Sequence, residues 1–361
     1  MNKLTKLLFS VFTSVAIATS AFAGEFTVSG SAKATYTILS NTGTTGTHAI
    51  GKGLGISNEF SLTASGELDN GMTWSYAQDI DGATVQDDAS ITMGTDYGTI
   101  KICVSECGLS TKYAFDNSAY GIGSDNGYGH GAAATSTMQY GSNISSYNNV
   151  QYHLPADLLP YSTTFKVGVT PGGAGGSANA SSHSVNGDTH GDMRQYAVTT
   201  APIDGLKIGA DYHTTDGQLS TTVQEGESGN YFAQYAMGNF KVGYSKGHVA
   251  PGLTDKNAAV TKYENTSMGI EFAVNDALSI SYNDEEFEAT TNVAIAAGAA
   301  SNTKTTVTSE QSSIQVAYNL GGATLGMALI EVDNADYTAS NEETKSIFTF
   351  CLLYTSDAAD E

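Results

Sequence analysis

Two cysteines four residues apart, Cys103 and Cys107, lie on either side of the start of a long irregular segment, and an oxidising compartment would permit a disulfide between them. In an extended strand their Cα atoms would lie about 13 Å apart, whereas a disulfide requires about 4.4–6.8 Å. A bond therefore demands a sharp turn over residues 104–106, and we predict both the turn and the disulfide. A zinc site that adds His130 is the alternative, but no metal-ligand spacing supports it.

Catalytic groups give a weaker signal. The seven histidines are scattered, and Ser, His and Asp occur together in residues 183–192 through loop composition alone. The chain has no G-x-S-x-G, phosphate-loop or H-E-x-x-H motif. We therefore predict that the protein is not an enzyme.

Two groups of carboxylates offer oxygen ligands of the kind that Ca²⁺ prefers. The groups are Asp79, Asp81, Asp87 and Asp88, and residues 284–288. Neither matches an EF-hand loop, so structural calcium stays an alternative to solvated loop acids. No other cofactor is predicted.

The elements that must position these residues are strands. From Glu25 to Tyr36 apolar and polar side chains alternate strictly, and similar segments recur along the chain between tight turns and long loops. This pattern predicts an all-β fold, a transmembrane antiparallel β-barrel of about 16 strands with short periplasmic turns and long outer loops. Tyr and Phe at strand ends, Phe232 among them, are predicted to form aromatic girdles at the membrane interfaces.

One connection, residues 106–149, is longer than the others. It is rich in Gly, Ser, Asn and Tyr and shows neither helical nor strand periodicity. Loops longer than about 15 residues without secondary structure are usually functional or disordered. We predict that this third loop folds into the lumen of the barrel.

The two ends of the chain are excluded from the barrel. Lys3 and Lys6, an apolar core and the Ala21-Phe22-Ala23 site predict a signal peptide over residues 1–23. The barrel is then predicted over residues 24–350. Residues 351–361 resemble the translation of a transposon sequencing adapter and are predicted to be a non-native tail.

The charge balance limits the partners. The 361 residues carry a formal charge of −22 at pH 7. Such an acidic chain excludes a nucleic-acid partner. It also favours cations at any water-filled passage.

Several segments in order resemble those of Gram-negative outer-membrane porins, closest to the trimeric general-diffusion porins of alphaproteobacteria. They are the opening strand GEFTVSGSAKATY, the DNGMTWSY and DYGTIK hairpins, and YNLGGATLGM. The resemblance implies a homotrimer in the outer membrane with one pore per subunit, narrowed by the loop after the fifth strand. It also implies contact with lipid, lipopolysaccharide and the barrel-assembly machinery. The family's terminal aromatic residue is missing after Phe350.

The resemblance further implies a pore constriction in which loop acids face wall bases. The loop offers Glu106, Asp116 and Asp125, and the polar strand faces offer Lys33, Lys101, Lys166, Lys207 and Lys241. These lysines lie between outward apolar neighbours, and a lysine at the lipid midplane would cost about 2–4 kcal/mol.

The expected function is passive diffusion of small hydrophilic solutes and ions with mild cation preference. The alternatives are a porin selective for sugars or amino acids, a structural or adhesive barrel with a plugged lumen, and an outer-membrane hydrolase.

Overall fold

The computed structural model describes the chain in eleven segments. They are residues 24–42, 48–81, 84–104, 106–115, 117–119, 141–146, 148–170, 192–215, 224–253, 259–293 and 303–357. The predicted signal peptide, Asp116 and Asp125 lie outside these segments.

Sixteen antiparallel strands form one closed barrel, in which each strand pairs with its sequence neighbours and β1 pairs with β16. This confirms the predicted fold class. The strands are β1 (Glu25–Thr42), β2 (His48–Glu67), β3 (Thr73–Asp81), β4 (Thr84–Thr95), β5 (Gly98–Val104), β6 (Asn149–His153), β7 (Thr164–Thr170), β8 (Met193–Ile203), β9 (Leu206–Thr215), β10 (Gly226–Met237), β11 (Phe240–Ala250), β12 (Val260–Ala273), β13 (Leu278–Val293), β14 (Thr303–Asn319), β15 (Ala323–Asp333) and β16 (Glu342–Asp357).

The described helical elements are short. They are α1 (Thr111–Ala114) and the 3₁₀ turns Ile144–Ser146 and Ala335–Tyr337. Among the described residues, no helix is long and apolar enough to cross a bilayer.

The two faces of the wall differ in polarity because successive side chains of a strand point to opposite sides. Outward residues such as Ile270, Tyr282 and Met327 are large, apolar and exposed. Many inward residues, such as Gln195 and Gln315, are polar and buried beneath neighbouring side chains. Lipid therefore meets apolar side chains, whereas most of the lumen face is polar.

Most connections at one end of the barrel are tight turns, and several of them contain glycine. Gly205, between β8 and β9, has a φ of +77°, and a Cβ there would lie 2.2 Å from the carbonyl oxygen of Ala236. Only glycine fits both constraints. By the rule for outer-membrane barrels, the end with the tight turns is assigned to the periplasm and the end with most of the longer connections to the outside.

Part of the inner face departs from the expected polarity. Phe287, Ala328, Ile330, Val332 and Ile347 form a buried apolar cluster on β13, β15 and β16. The buried Ala335 and the partly buried Tyr337 pack against it. The 3₁₀ turn thus excludes water from a patch that would otherwise be an unfavourable apolar lumen surface.

The last strand extends beyond the predicted boundary at Phe350. Residues 351–357 continue β16, and Cys351 lies opposite Lys33 while Asp357 lies opposite Thr27 on β1. They occupy the ladder positions that close the barrel. Their non-native origin stays a prediction.

Candidate functional site: the inward loop and the lumen wall

The loop leaves the wall at a disulfide. Cys103 at the end of β5 is bonded to Cys107, and their Cα atoms are 6.1 Å apart. Cys107 has a φ of +67°, which produces the sharp turn that the spacing required. The predicted bond is therefore present. The Gln151 side chain on β6 donates a hydrogen bond to the Cys107 carbonyl, which holds the turn against the next strand.

Asn143 joins the outgoing and returning parts of the loop. Its side-chain oxygen accepts from the backbone amide of Leu109 at 2.9 Å. Leu109 and Ile144 are buried with Ala197 of β8, so the joined segments also pack against the wall. These contacts join the two ends of the loop to each other and to the wall near the point where the loop begins.

Asp211 on β9 holds the start of α1. One carboxylate oxygen accepts from both the backbone amide and the hydroxyl of Thr111, each at 2.7 Å. Its other oxygen accepts from the Gln195 side chain at 3.2 Å. Hydrogen bonds to a charged group contribute about 1.5–3 kcal/mol. Asp211 is therefore a principal anchor of the loop.

The returning segment is bound by neighbouring strands. The Ile144 amide donates to the Gln195 side chain at 2.8 Å, and the Ser142 amide donates to the Ser228 hydroxyl at 2.9 Å. Gln195 thus binds the returning segment and Asp211 together, so one side chain couples both halves of the loop to the wall.

Lys112 of α1 forms a buried ion pair with Glu285 on β13. The Nζ–Oε1 distance is 3.1 Å and both side chains are 1% exposed. Lys112 also donates to the Ser267 hydroxyl at 2.7 Å, and Gln311 donates to the other Glu285 oxygen at 3.2 Å. Buried charges are tolerated only when they are paired and hydrogen-bonded in this way. The pair therefore fixes the loop where it meets the far strands.

Aromatic packing completes the attachment and corrects one expectation. Phe232 faces the lumen and not the membrane interface: it is 1% exposed and its ring lies 5.6 Å from that of Phe115 in the loop. A Cβ at Gly243 would come within 2.4 Å of the Phe115 ring, so the wall leaves space for it only with glycine. Further along, the Ala119 amide donates to Ser281 at 2.8 Å.

The loop therefore follows the inner wall from β5 to β13. Sequence reasoning missed its anchors, because it considered only the carboxylates of the loop. One signal was available: Glu285 alternates with the outward Asp284 and Glu286. A carboxylate that points inward beneath a loop requires a hydrogen-bond donor or a cation from that loop. Lys112 provides both for Glu285.

The predicted loop acids contribute little to the described geometry. The Glu106 carboxylate accepts from the Cys107 amide at 3.2 Å and thus belongs to the root of the loop. Asp116 and Asp125 lie outside the described residues. Lys33 lies on β1, half-way around the barrel from β9, and thus on the wall that the loop faces.

The other predicted lysines lie near the tight turns. Each is among the first four residues of its strand: Lys101 on β5, Lys166 on β7, Lys207 on β9 and Lys241 on β11. Lys241 forms an ion pair with Glu271 of β12. Lys101, Lys166 and Lys207 lie near the starts of alternate strands, so the structure brings these three onto one part of the wall. Their role in the constriction stays a prediction.

The two groups of carboxylates considered as calcium ligands are only partly described, because the Asp81 and Asp87 side chains lie outside the described residues. In β13 the strand alternation places Asp284 and Glu286 on the exposed face and Glu285 on the opposite, buried face. Within the described part of the chain, no group of three or more His, Cys, Asp or Glu side chains is arranged to hold a metal ion.

A closed sixteen-strand barrel with an apolar outside, a largely polar inside and a loop along its inner wall defines the class of outer-membrane channels. The family model described as Gram-negative porin matches residues 8–292. The chain belongs to the Gram-negative porin family and is an outer-membrane β-barrel protein.

Solved structures show the same fold at low sequence identity. The anion-selective porin from Comamonas acidovorans is 11% identical with a TM-score of 0.59, covering 91% of this chain and 100% of that chain. The trimer form of in-vitro folded OmpT from Vibrio cholerae is 11% identical with a TM-score of 0.59, covering 92% and 100%. A variant of the Rh. blastica porin is 12% identical with a TM-score of 0.55, covering 91% and 100%. No curated protein matches the chain.

Proposed function

We propose that the protein is a general porin through which small hydrophilic solutes and ions diffuse passively. The observation that carries this proposal is the attachment of the loop: anchors such as Asp211 and Glu285 hold it against one side of the wall. A segment held in this way narrows a passage at a constant width. Diffusion limited by size requires such a constriction.

A mild cation preference is part of the proposal. The chain carries a formal charge of −22, and Lys112 of the loop is neutralised by Glu285. On the facing wall, Asp79 of β3 lies directly opposite Asp88 of β4. Adjacent carboxylates raise the local concentration of cations in a water-filled passage.

Planar-bilayer recording of the purified protein tests the proposal. In a potassium chloride gradient we expect stepwise current increments. We also expect a reversal potential with the sign of a channel that prefers potassium to chloride. The absence of current at every voltage would contradict a channel and favour a structural barrel with a plugged lumen. Equal swelling rates of liposomes with sugars and amino acids of similar size would argue against a substrate-selective porin.

We further propose a homotrimer, supported by a stretch of β2 that, within the described residues, is paired on one side only. Residues 48–58 pair with β1 on one side, whereas the pairing with β3 begins only at Glu59. Ile50, Leu54 and Ile56 in this stretch are 70%, 79% and 74% exposed, against about 40–50% for most other outward apolar residues. An exposed apolar edge of this kind favours contact with a second copy. Signal-peptide cleavage and contacts with lipopolysaccharide and the assembly machinery stay predictions.

A further inference from the structure

We propose that Lys101, Lys166 and Lys207, here called the mouth lysines, form a subsite for small multivalent oxyanions at the periplasmic mouth of the lumen. The proposal rests on the proposed channel function only in that the ligand reaches the site through the lumen. The mouth lysines then bind anions at a position next to the constriction and are not part of the constriction itself.

Placement is the first support. Strands β5, β7 and β9 all start at the tight-turn end, and the mouth lysines are their fourth, third and second residues. The strands are two apart in the barrel, so successive lysine backbones lie about 10 Å apart across the wall. The flexible four-carbon stem of lysine allows the three ammonium groups to converge on one ligand.

The distance from the loop anchors separates this subsite from the constriction. Lys207 and Asp211 lie on the same face of β9, four residues apart, which corresponds to about 13 Å along the strand. Asp211 holds α1, so the mouth lysines lie on the periplasmic side of the inward loop.

The second support is that these charges are unpaired. Within the described part of the chain, Lys112, Lys241 and Lys262 each form an ion pair with a glutamate. The mouth lysines form none there; Lys207 instead lies over the Phe232 ring, 5.8 Å from its centre. Three mutually repelling cations in a lumen wall are stabilised when an anion binds between them.

Neighbouring groups add polarity without cancelling the charge. His153 of β6 lies directly opposite Lys166, and its Nε2 shares a hydrogen bond of 2.8 Å with the Gln151 side-chain oxygen. Gln151 in turn binds the Cys107 carbonyl at the root of the loop. The acid Asp211 is already engaged by Thr111 and Gln195. Asp96, Asp157 and Asp204 are exposed in the connections that precede β5, β7 and β9, and within the described residues none of them forms an ion pair with a mouth lysine.

This charge selects the ligand class. Three ammonium groups suit the several oxygens of a phosphate or of a di- or tricarboxylate, whereas a neutral sugar gains nothing from them. Chloride, with one charge, neutralises only part of the cluster. Solutes that carry phosphate or several carboxylates are thus the expected occupants.

Single-channel recording tests the subsite in about 0.1 M potassium chloride, where the screening length is about 10 Å. Inorganic phosphate at mildly alkaline pH, or citrate in a second arm, is added first to one side and then to the other. The expected result is a several-fold reduction of the potassium current from the periplasmic side only. The K101Q/K166Q/K207Q variant is expected to lose this block and to become more cation-selective.

Matched single variants distinguish anion binding at the subsite from a general effect of removing one positive charge. Lys166→Gln and Lys241→Gln each remove one cation near the periplasmic end, but Lys241 is already paired with Glu271. Lys166→Gln should weaken the block several-fold, whereas Lys241→Gln should retain it. Equal block in the wild type and the triple variant would overturn the proposal. The stronger of the two probes identifies phosphate or carboxylate as the preferred ligand.

Phosphate binding is also measured by a method that does not depend on ion conduction. Broadening of the ³¹P resonance of phosphate by detergent-solubilised protein is expected for the wild type and not for the triple variant. A silent channel that still broadens the resonance would contradict the proposed function while supporting the subsite. An open channel that leaves the resonance sharp would contradict the subsite alone.

Discussion

At the scale of single residues, the Lys112–Glu285 pair is the most consequential contact of the loop. Replacing Lys112 by Met leaves the Glu285 carboxylate buried without its cation. Removal of one partner of a buried pair costs about 3–5 kcal/mol. We expect the free energy of unfolding to fall by about this amount, measured by urea titration, and the open-channel current to become noisier as the loop loosens.

The controls use a second ion pair and a double variant. Lys262 and Glu264 are 2.7 Å apart but 48% and 33% exposed, so Lys262→Met should cost less than about 1 kcal/mol. Replacing Lys112 and Glu285 together by Met should recover most of the lost stability, because no unpaired charge remains. Equal losses for Lys112→Met and Lys262→Met would show that the buried pair does not anchor the loop.

The sequence predicted which way many residues face but not which residues meet. The lysines of the polar faces were identified from alternation, which is a local property of a strand. The contact between Thr111 and Asp211 joins residues one hundred positions apart, so it depends on the register of several strand pairs. Phe232 was misplaced because either it or its neighbour Tyr231 could face lipid, and only the register decides.

At the scale of elements, the disulfide constrains the point where β5 becomes the loop. A bond between Cys103 and Cys107 closes a short ring, and loop-closure entropy for about five residues gives a stabilisation of about 2 kcal/mol. We expect reductant to lower the unfolding midpoint of a Cys351→Ser protein. Cys103→Ser with Cys107→Ser in the same background should unfold at the reduced midpoint, with or without reductant.

A barrel that fails to form without the bond would contradict this expectation, since the strand ladder itself does not include the bond. A reductant effect of the same size in both proteins would trace the shift to something other than this disulfide.

The strands themselves were predictable to a large extent because period-2 alternation and turn residues are both local signals. The inward path of the loop was also predicted from its length and composition. The apolar cluster beneath Ala335–Tyr337 was not predicted, because the turn after β15 covers this apolar surface and alternation within a strand does not reveal such a contact. Residues 351–357 likewise joined β16 because β1 offers an unpaired edge there.

At the scale of the whole molecule, the exposed stretch of β2 determines the expected assembly. Replacing Ile50, Leu54 and Ile56 by Ser removes apolar surface that would contribute about 1.5–3 kcal/mol per buried side chain. We expect this triple variant to sediment as a monomer in detergent, whereas the wild type sediments as a trimer.

The matched control replaces three outward apolar residues on the opposite side of the barrel. Ile208, Val242 and Ile270 are 39%, 43% and 42% exposed and lie on β9, β11 and β12. Their replacement by Ser should leave the trimer intact. Identical sedimentation of the two triple variants would remove the β2 edge as the subunit contact.

The pairing of β1 with β16 has a consequence for biogenesis. This ladder joins the two strands that are most distant along the chain, from Thr27 opposite Asp357 to Thr42 opposite Glu342. Contacts of such long range form slowly, because the intervening chain must be organised first. The cylinder therefore cannot close until its final strand has been synthesised, and until then the hydrogen-bonding edge of β1 stays without its partner.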